Sequence, residues 1–179
     1  MSSLKQTIEH LNQNIFSTRN DWAGLIMRVT LGVVLFAHGA QKLFGWFNGY
    51  GFDGTMQFFT ETVQLPWIVG FLVIIIESFG ALFLVLGLGS RIMAIAIFGV
   101  MTGVLFTSHI QNGFYMNWYG TAAGEGIEFD LLTLGLAAAI VFNGAGKFSF
   151  DSIIHKKIVE GSAERKVDIR LRERKFDLG

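Results

Sequence analysis

Four stretches of this chain, near residues 22–44, 67–88, 91–112 and 127–145, are apolar over about the 20 residues a helix needs to cross ~30 Å of hydrocarbon. A bilayer offers the backbone no water to bond, so such stretches must close their hydrogen bonds internally. The expected fold is all-α: an integral membrane four-helix bundle with cytoplasmic amphipathic segments at both ends. Only 16% of the 179 residues are charged, against about 25% in an ordinary soluble domain. Gly87-Leu88-Gly89-Ser90-Arg91 reads as a tight turn that makes helices two and three antiparallel neighbours. The longer connections, 45–66 and 113–126, carry "GWFNGYGFDG" and "GFYMNWYGTAAGEG", and such aromatic, Gly-rich loops can fold back over a bundle mouth.

Charge placement sets the expected topology. Twelve of the fourteen Lys and Arg residues flank the same ends of the four spans, while the two long loops hold none. The positive-inside rule then puts both termini and the tight turn in the cytoplasm of a cell whose inner membrane the protein crosses several times. Three regions follow: 1–21, an amphipathic N-terminal segment; 22–146, the membrane domain; and 147–179, a basic tail. Leu4, Ile8, Leu11 and Ile15 recur at helical spacing, as do Phe150, Ile153, Ile154 and Ile158, so both segments read as helices lying on the inner leaflet. The alternation through Val167, Ile169 and Leu171 suits a short strand or extended arm docking on a partner, or a solvated tail.

The absence of cysteine excludes disulfides, thiolate metal sites, Fe–S ligation and sulfur carried on a protein thiol. Zero net charge gives no support for nucleic-acid binding. The polar N-terminus lacks the pattern of a cleaved signal peptide, so the first span is expected to serve as its own anchor.

Charged side chains at membrane depth are costly unless paired or facing a polar cavity, which makes each a candidate site residue. Arg28, His38 and Lys42 fall within an arc of about 80° on helix one, together with Gly24 and Gly39. Glu77 groups with Gly70, Gly80 and Gly87 on helix two, and Glu128 with Gly135, Ala139 and Phe142 on helix four. Counted from the outer helix ends, His38 lies ~9 Å deep, Glu77 ~16 Å, Arg28 ~24 Å, and His109 within about 5 Å of the surface. His38, Lys42, His109 and Glu128 are therefore expected to converge near the outer mouth, with Glu77 and Arg28 beneath. Plainer roles compete: an Arg28–Glu77 pair locking helices one and two, Lys42 reaching the headgroups, an interfacial His109, and Glu128 at the helix-four N-terminus. Gly99 and Gly103 form a GxxxG pattern that reads as helix packing.

The segments "LFAHGAQKLFGWFNGYG", "ESFGALFLVLGLGSR", "GFYMNWYGTAAGEGIEFDLL" and "GAGKFSFDS", with Arg28, His38, Lys42, Glu77, Arg91 and Glu128 in order, resemble the DoxX family over roughly 22–152. That family is similar to the membrane subunit of a thiosulfate:quinone oxidoreductase, and some members to partners of redox complexes that handle sulfur compounds or oxidative stress. The resemblance implies a quinone-linked membrane component that works with other redox subunits; assembly as a homo-oligomer is a separate expectation. His38 and Lys42 would bond the quinone oxygens, and Phe106, Trp118 and Phe142 would line an apolar slot. Glu128 or Glu125 would pass protons outward, with Glu77 and Arg28 keeping the face polar and His38, Glu77 and Glu128 as the catalytic set. His109 and Trp118 would add to the cofactor contacts. Two other classes stand beside this one: a transition metal on His38, His109 and Glu128 or haem b between the two histidines, and a non-enzymatic scaffold or conduit anchoring a partner through the tail.

Overall fold

A computed structural model describes the backbone of residues 14–177 and side chains through residue 163. Four long helices form the bundle: α1 (Trp22–Phe44), α3 (Trp67–Leu86), α4 (Ser90–Asn112) and α5 (Glu128–Asn143). Their bounds lie within about two residues of the apolar stretches. The first three are long and apolar enough to cross a membrane by themselves, whereas α5, with 16 residues, rises about 24 Å. It completes the bundle by packing along α4 and α1. A short helix, α2 (Gly51–Gln57, continuing as a π-helical turn over Phe58–Thr62), returns the 45–66 connection over α1. The α1 helix stops at Gly45, whose left-handed φ of 72° lets its amide bond the Ala40 carbonyl. Gly87, at φ 69°, ends α3 in the same way ahead of the tight turn.

Small residues let these helices approach, as packing within lipid requires. The dry core occupies the half of the bundle nearer the termini, where Leu31, Leu35, Ala81, Leu84, Ala94, Ile97, Ala137 and Ile140 are buried together. In α1, Gly39 meets the α3 backbone so closely that a β-carbon there would stand 2.5 Å from the Glu77 carbonyl. Gly39→Ala is therefore expected to force α1 and α3 apart and lower stability by about 1–3 kcal/mol, read by thermal unfolding in detergent. Gly99→Ala, on an open face, should leave stability unchanged or raise it.

The end that carries the termini is tied together by polar groups. Asp21 caps α1 through the Gly24 amide at 2.8 Å and accepts from Asn143 Nδ2 at 3.1 Å. Those two bonds, the Gly24 amide foremost, hold its carboxyl below the usual range. The start of α1 and the end of α5 thus lie at the same end of the bundle, as an even number of passes requires. Asp151 closes the turn from outside, accepting from the Gly89 and Ser90 amides at 2.7 and 2.9 Å.

The tail departs from the strand or extended-arm expectation, since the backbone from Phe150 to Asp177 is one helix, α6. Residues 160–176 contain no proline and are rich in Glu, Lys and Arg, which favour helix over strand. Phe150 and Ile153 on it are exposed, in keeping with an amphipathic surface helix. The helix expected around Leu4, Ile8 and Leu11 lies outside the described residues.

Candidate functional site

The other half of the bundle, toward the two long loops, is open. Packing of α4 against α3 is concentrated in residues Ile76–Leu86, while Trp67–Ile75 leans on α1 and α2. The helices diverge, and between them lies a cavity of about 740 Å³. Leu35 and Met101, both buried, border it. Val69, Leu72 and Ile95 line it and are also exposed on the bundle surface, so the cavity opens sideways toward lipid. Gly99 and Gly103 form part of its α4 wall, and a β-carbon on either would meet nothing within 4 Å. The GxxxG pattern therefore widens a slot; it does not pack one helix on another.

Polar groups meet the apolar walls at three places. Lys42 Nζ is ion-paired with Glu77 Oε2, the Glu77 side chain being 5% exposed and that of Lys42 26%. His38, one turn before Lys42, packs its ring on Phe129 with centroids 5.6 Å apart. Neither of its ring nitrogens bonds another group among the described residues, and the side chain lines the cavity. Across the cavity, His109 Nδ1 lies 2.8 Å from Asp130 Oδ2, and Asp130 is wholly buried. Glu77 and His109 both sit in π-helical turns, Ile76–Gly80 and Leu105–His109. Such turns insert one residue into a helix and recur at functional sites.

Several sequence expectations need correction. Arg28 does not reach Glu77. It points toward the termini and donates to the carbonyls of Ala145 at 2.7 Å, Leu84 at 3.1 Å, Lys147 at 3.0 Å, Phe148 at 2.8 Å and to that of Val85. Those carbonyls lie at the end of α3 and in the turn after α5, where helical partners run out; that of Leu84 also accepts from the Gly87 amide at 3.0 Å, and one planar guanidinium gathers all five. Lys42 does not snorkel away, because the close α1–α3 approach at Gly39 sets it beside Glu77. Glu128 is drawn into its own loop, accepting from the Met116 amide at 3.2 Å and Trp118 Nε1 at 3.4 Å. Neither it nor Trp118, Phe106 or Phe142 lines the cavity, and Phe142 lies at the opposite end of α5. Glu125 does line it.

The triad expected to bind a metal therefore does not assemble, since Glu128 faces Trp118 and Asp130 holds His109. Among the described residues no three His, Asp or Glu side chains gather at metal-binding spacing. Asp130 is the residue the sequence reading passed over. Its signal was present: an acid two positions after Glu128, in the first turn of an apolar helix.

The DoxX family model matches residues 23–110, which hold α1, α3 and most of α4 with His38, Lys42, Glu77 and His109. Over that stretch the chain belongs to the DoxX family. It is also 26% identical over 132 residues to a curated Bacillus subtilis protein described as "Putative oxidoreductase CatD", an alignment covering 74% of this chain and 87% of the relative. No solved structure matches the chain. The matched residues supply most of the cavity lining, and leave Met116, Glu125 and Phe129 of that lining, with Asp130 on α5, beyond them.

Proposed function

We propose that this DoxX protein is the quinone-binding membrane subunit of an oxidoreductase, crossing the inner membrane with both termini in the cytoplasm. The observation that carries it is the lipid-open, mainly apolar cavity with unpaired His38 beside the Lys42–Glu77 pair. A volume near 740 Å³ lies in the range of small-molecule sites, about 300–1,000 Å³. The residues present suit a quinone: the sideways opening admits an isoprenoid tail, and the Gly99–Gly103 wall leaves room for a flat ring.

Bound there, a quinone would supply an electron and proton acceptor inside the bilayer. The chain's own residues would orient it. His38 offers a ring nitrogen, and Lys42 offers the ammonium hydrogens that Glu77 leaves free. Glu77 keeps Lys42 in place and neutralises its charge in a poorly solvated wall. With no cysteine in the chain, no thiol carries the electrons; a redox partner would deliver them, and the basic α6 tail is the surface on which a cytoplasmic subunit would dock.

Solvent extraction of the protein purified from bacterial membranes tests this reading. The expected result is quinone enriched several-fold over bulk membrane lipid. A coloured preparation with haem absorbance would replace the quinone with a haem between His38 and His109, and unenriched extracts would leave the scaffold reading. Topology has its own check: a reporter fused after Gly179 should be active only in the cytoplasm.

A further inference from the structure

The lipid-open cavity has a neighbour at its loop end. A second, polar cavity of about 500 Å³ lies there, bordered by Thr62, Gln111, Asn112 and Gly124. Val63, Thr107, Ser108, His109 and Glu125 line both spaces, and His109 carries the only imidazole among them. Asp130 grips that ring by Nδ1 from a fully buried position, with its own Oδ1 lacking a partner among the described residues. The His109 side chain is still 21% exposed, and Nε2 is the nitrogen without a partner among the described residues.

We infer that His109 is the proton carrier between the polar mouth and the oxygen of a ligand in the lipid-open cavity, with Asp130 as its positioning residue. This rests on the quinone reading and adds the proton route to it. In the step, the Nε2–H bond of the imidazolium breaks, its electron pair stays on Nε2, and an O–H bond forms on the ligand oxygen. The ring is left as the Nδ1–H tautomer, its Nδ1 donating to Asp130 Oδ2. Nε2 then recovers a proton from water in the mouth. One proton moves and no electron does.

A carboxylate on Nδ1 selects this tautomer and fixes the ring plane, so that Nε2 alone exchanges protons. The other ionisable groups facing the spaces His109 borders are Glu125 from the loop, His38 and Lys42 from α1, and Glu77 from α3. Of these only Glu125 shares both spaces, and its side chain accepts from the Asn117 amide at 2.8 Å. Asn112 holds the same residue by its carbonyl at 2.9 Å. Glu125 is thus part of the loop scaffold, and His109, held in place by Asp130, is the group that borders both spaces with a ring nitrogen left for proton exchange.

The test is nitrogen NMR of the full chain in lipid nanodiscs, labelled at its four histidines, with and without a ubiquinone analogue bearing one isoprene unit. Neutral His109 is expected as the Nδ1–H tautomer, with the analogue shifting its Nε2 resonance and also perturbing His38. Asp130→Asn should convert His109 largely to the Nε2–H tautomer, because the new amide donates to Nδ1, while His38 still responds to the analogue. Asp130→Glu should restore the Nδ1–H form and controls for a folding defect in the first variant. If His38 responds but His109 does not, or if Asp130→Asn leaves the tautomer unchanged, the proton route is wrong and the quinone site stands. If neither histidine responds, both are wrong.

Discussion

Replacing Arg28 with methionine is expected to remove the folded protein from detergent extracts, the largest effect of any single substitution in this chain. Arg28 is 1% exposed and donates to five carbonyls from two separate segments, Leu84–Val85 and Ala145–Phe148. Methionine fills much of the volume but takes the guanidinium away from all five carbonyls, of which Leu84 keeps the Gly87 amide, in a largely buried site. Each buried unsatisfied group costs about 1–3 kcal/mol, and the sum approaches the whole stability of a domain, about 5–15 kcal/mol. Arg28→Lys should recover only part of the loss, since an ammonium has three hydrogens and no planar fork. Monodisperse yield and unfolding temperature in one detergent would rank wild type above Arg28→Lys, and Arg28→Lys above Arg28→Met. A methionine variant as stable as wild type would show that the carbonyls find other donors.

The second large effect is an asymmetry within the Lys42–Glu77 pair. Lys42→Met strands a carboxylate whose side chain is 5% exposed, and breaking a buried pair from one side costs about 3–5 kcal/mol. Glu77→Gln is expected to cost less, because the Lys42 side chain is 26% exposed and its flexible stem can carry the ammonium toward the cavity. The double variant Lys42→Met/Glu77→Gln should be more stable than Lys42→Met alone, since it buries no unpaired charge. The three unfolding temperatures complete a double-mutant cycle. Equal losses from the two single variants, adding in the double, would show that the two side chains do not share a bond.

Helix number, bounds and the common end of the termini were legible because each depends on a single quantity, the length of an apolar run. Partners were less so. The rise per residue placed Arg28 within reach of Glu77, yet its actual acceptors are backbone carbonyls, which any sequence supplies and none announces. Whether Lys42 joins the polar cluster or reaches the headgroups is not decided by a projection of α1 alone, which does not show how closely Gly39 brings α3. The π-helical turns at Ile76–Gly80 and Leu105–His109 add a residue to the local repeat, so a 100° projection through Glu77 or His109 drifts beyond them. Glu128 projects onto the inner face of α5 but lies in its first turn, where the 113–127 loop captures it. Asp130, two residues later in the same turn, is the acid that faces inward.

The sideways opening between α3 and α4 can be tested by photolabelling. A quinone analogue with a photoreactive tail, irradiated with the protein in nanodiscs and mapped by mass spectrometry, should label Val69, Leu72 or Ile95 and be competed by unlabelled quinone. Gly99→Leu/Gly103→Leu places two side chains into that slot where no protein atom lies within 4 Å of the new β-carbons. It should therefore abolish labelling, at least tenfold, while the unfolding temperature holds or rises. Competable labelling that maps elsewhere, or that persists in a folded Gly99→Leu/Gly103→Leu protein, would contradict a quinone site between these helices.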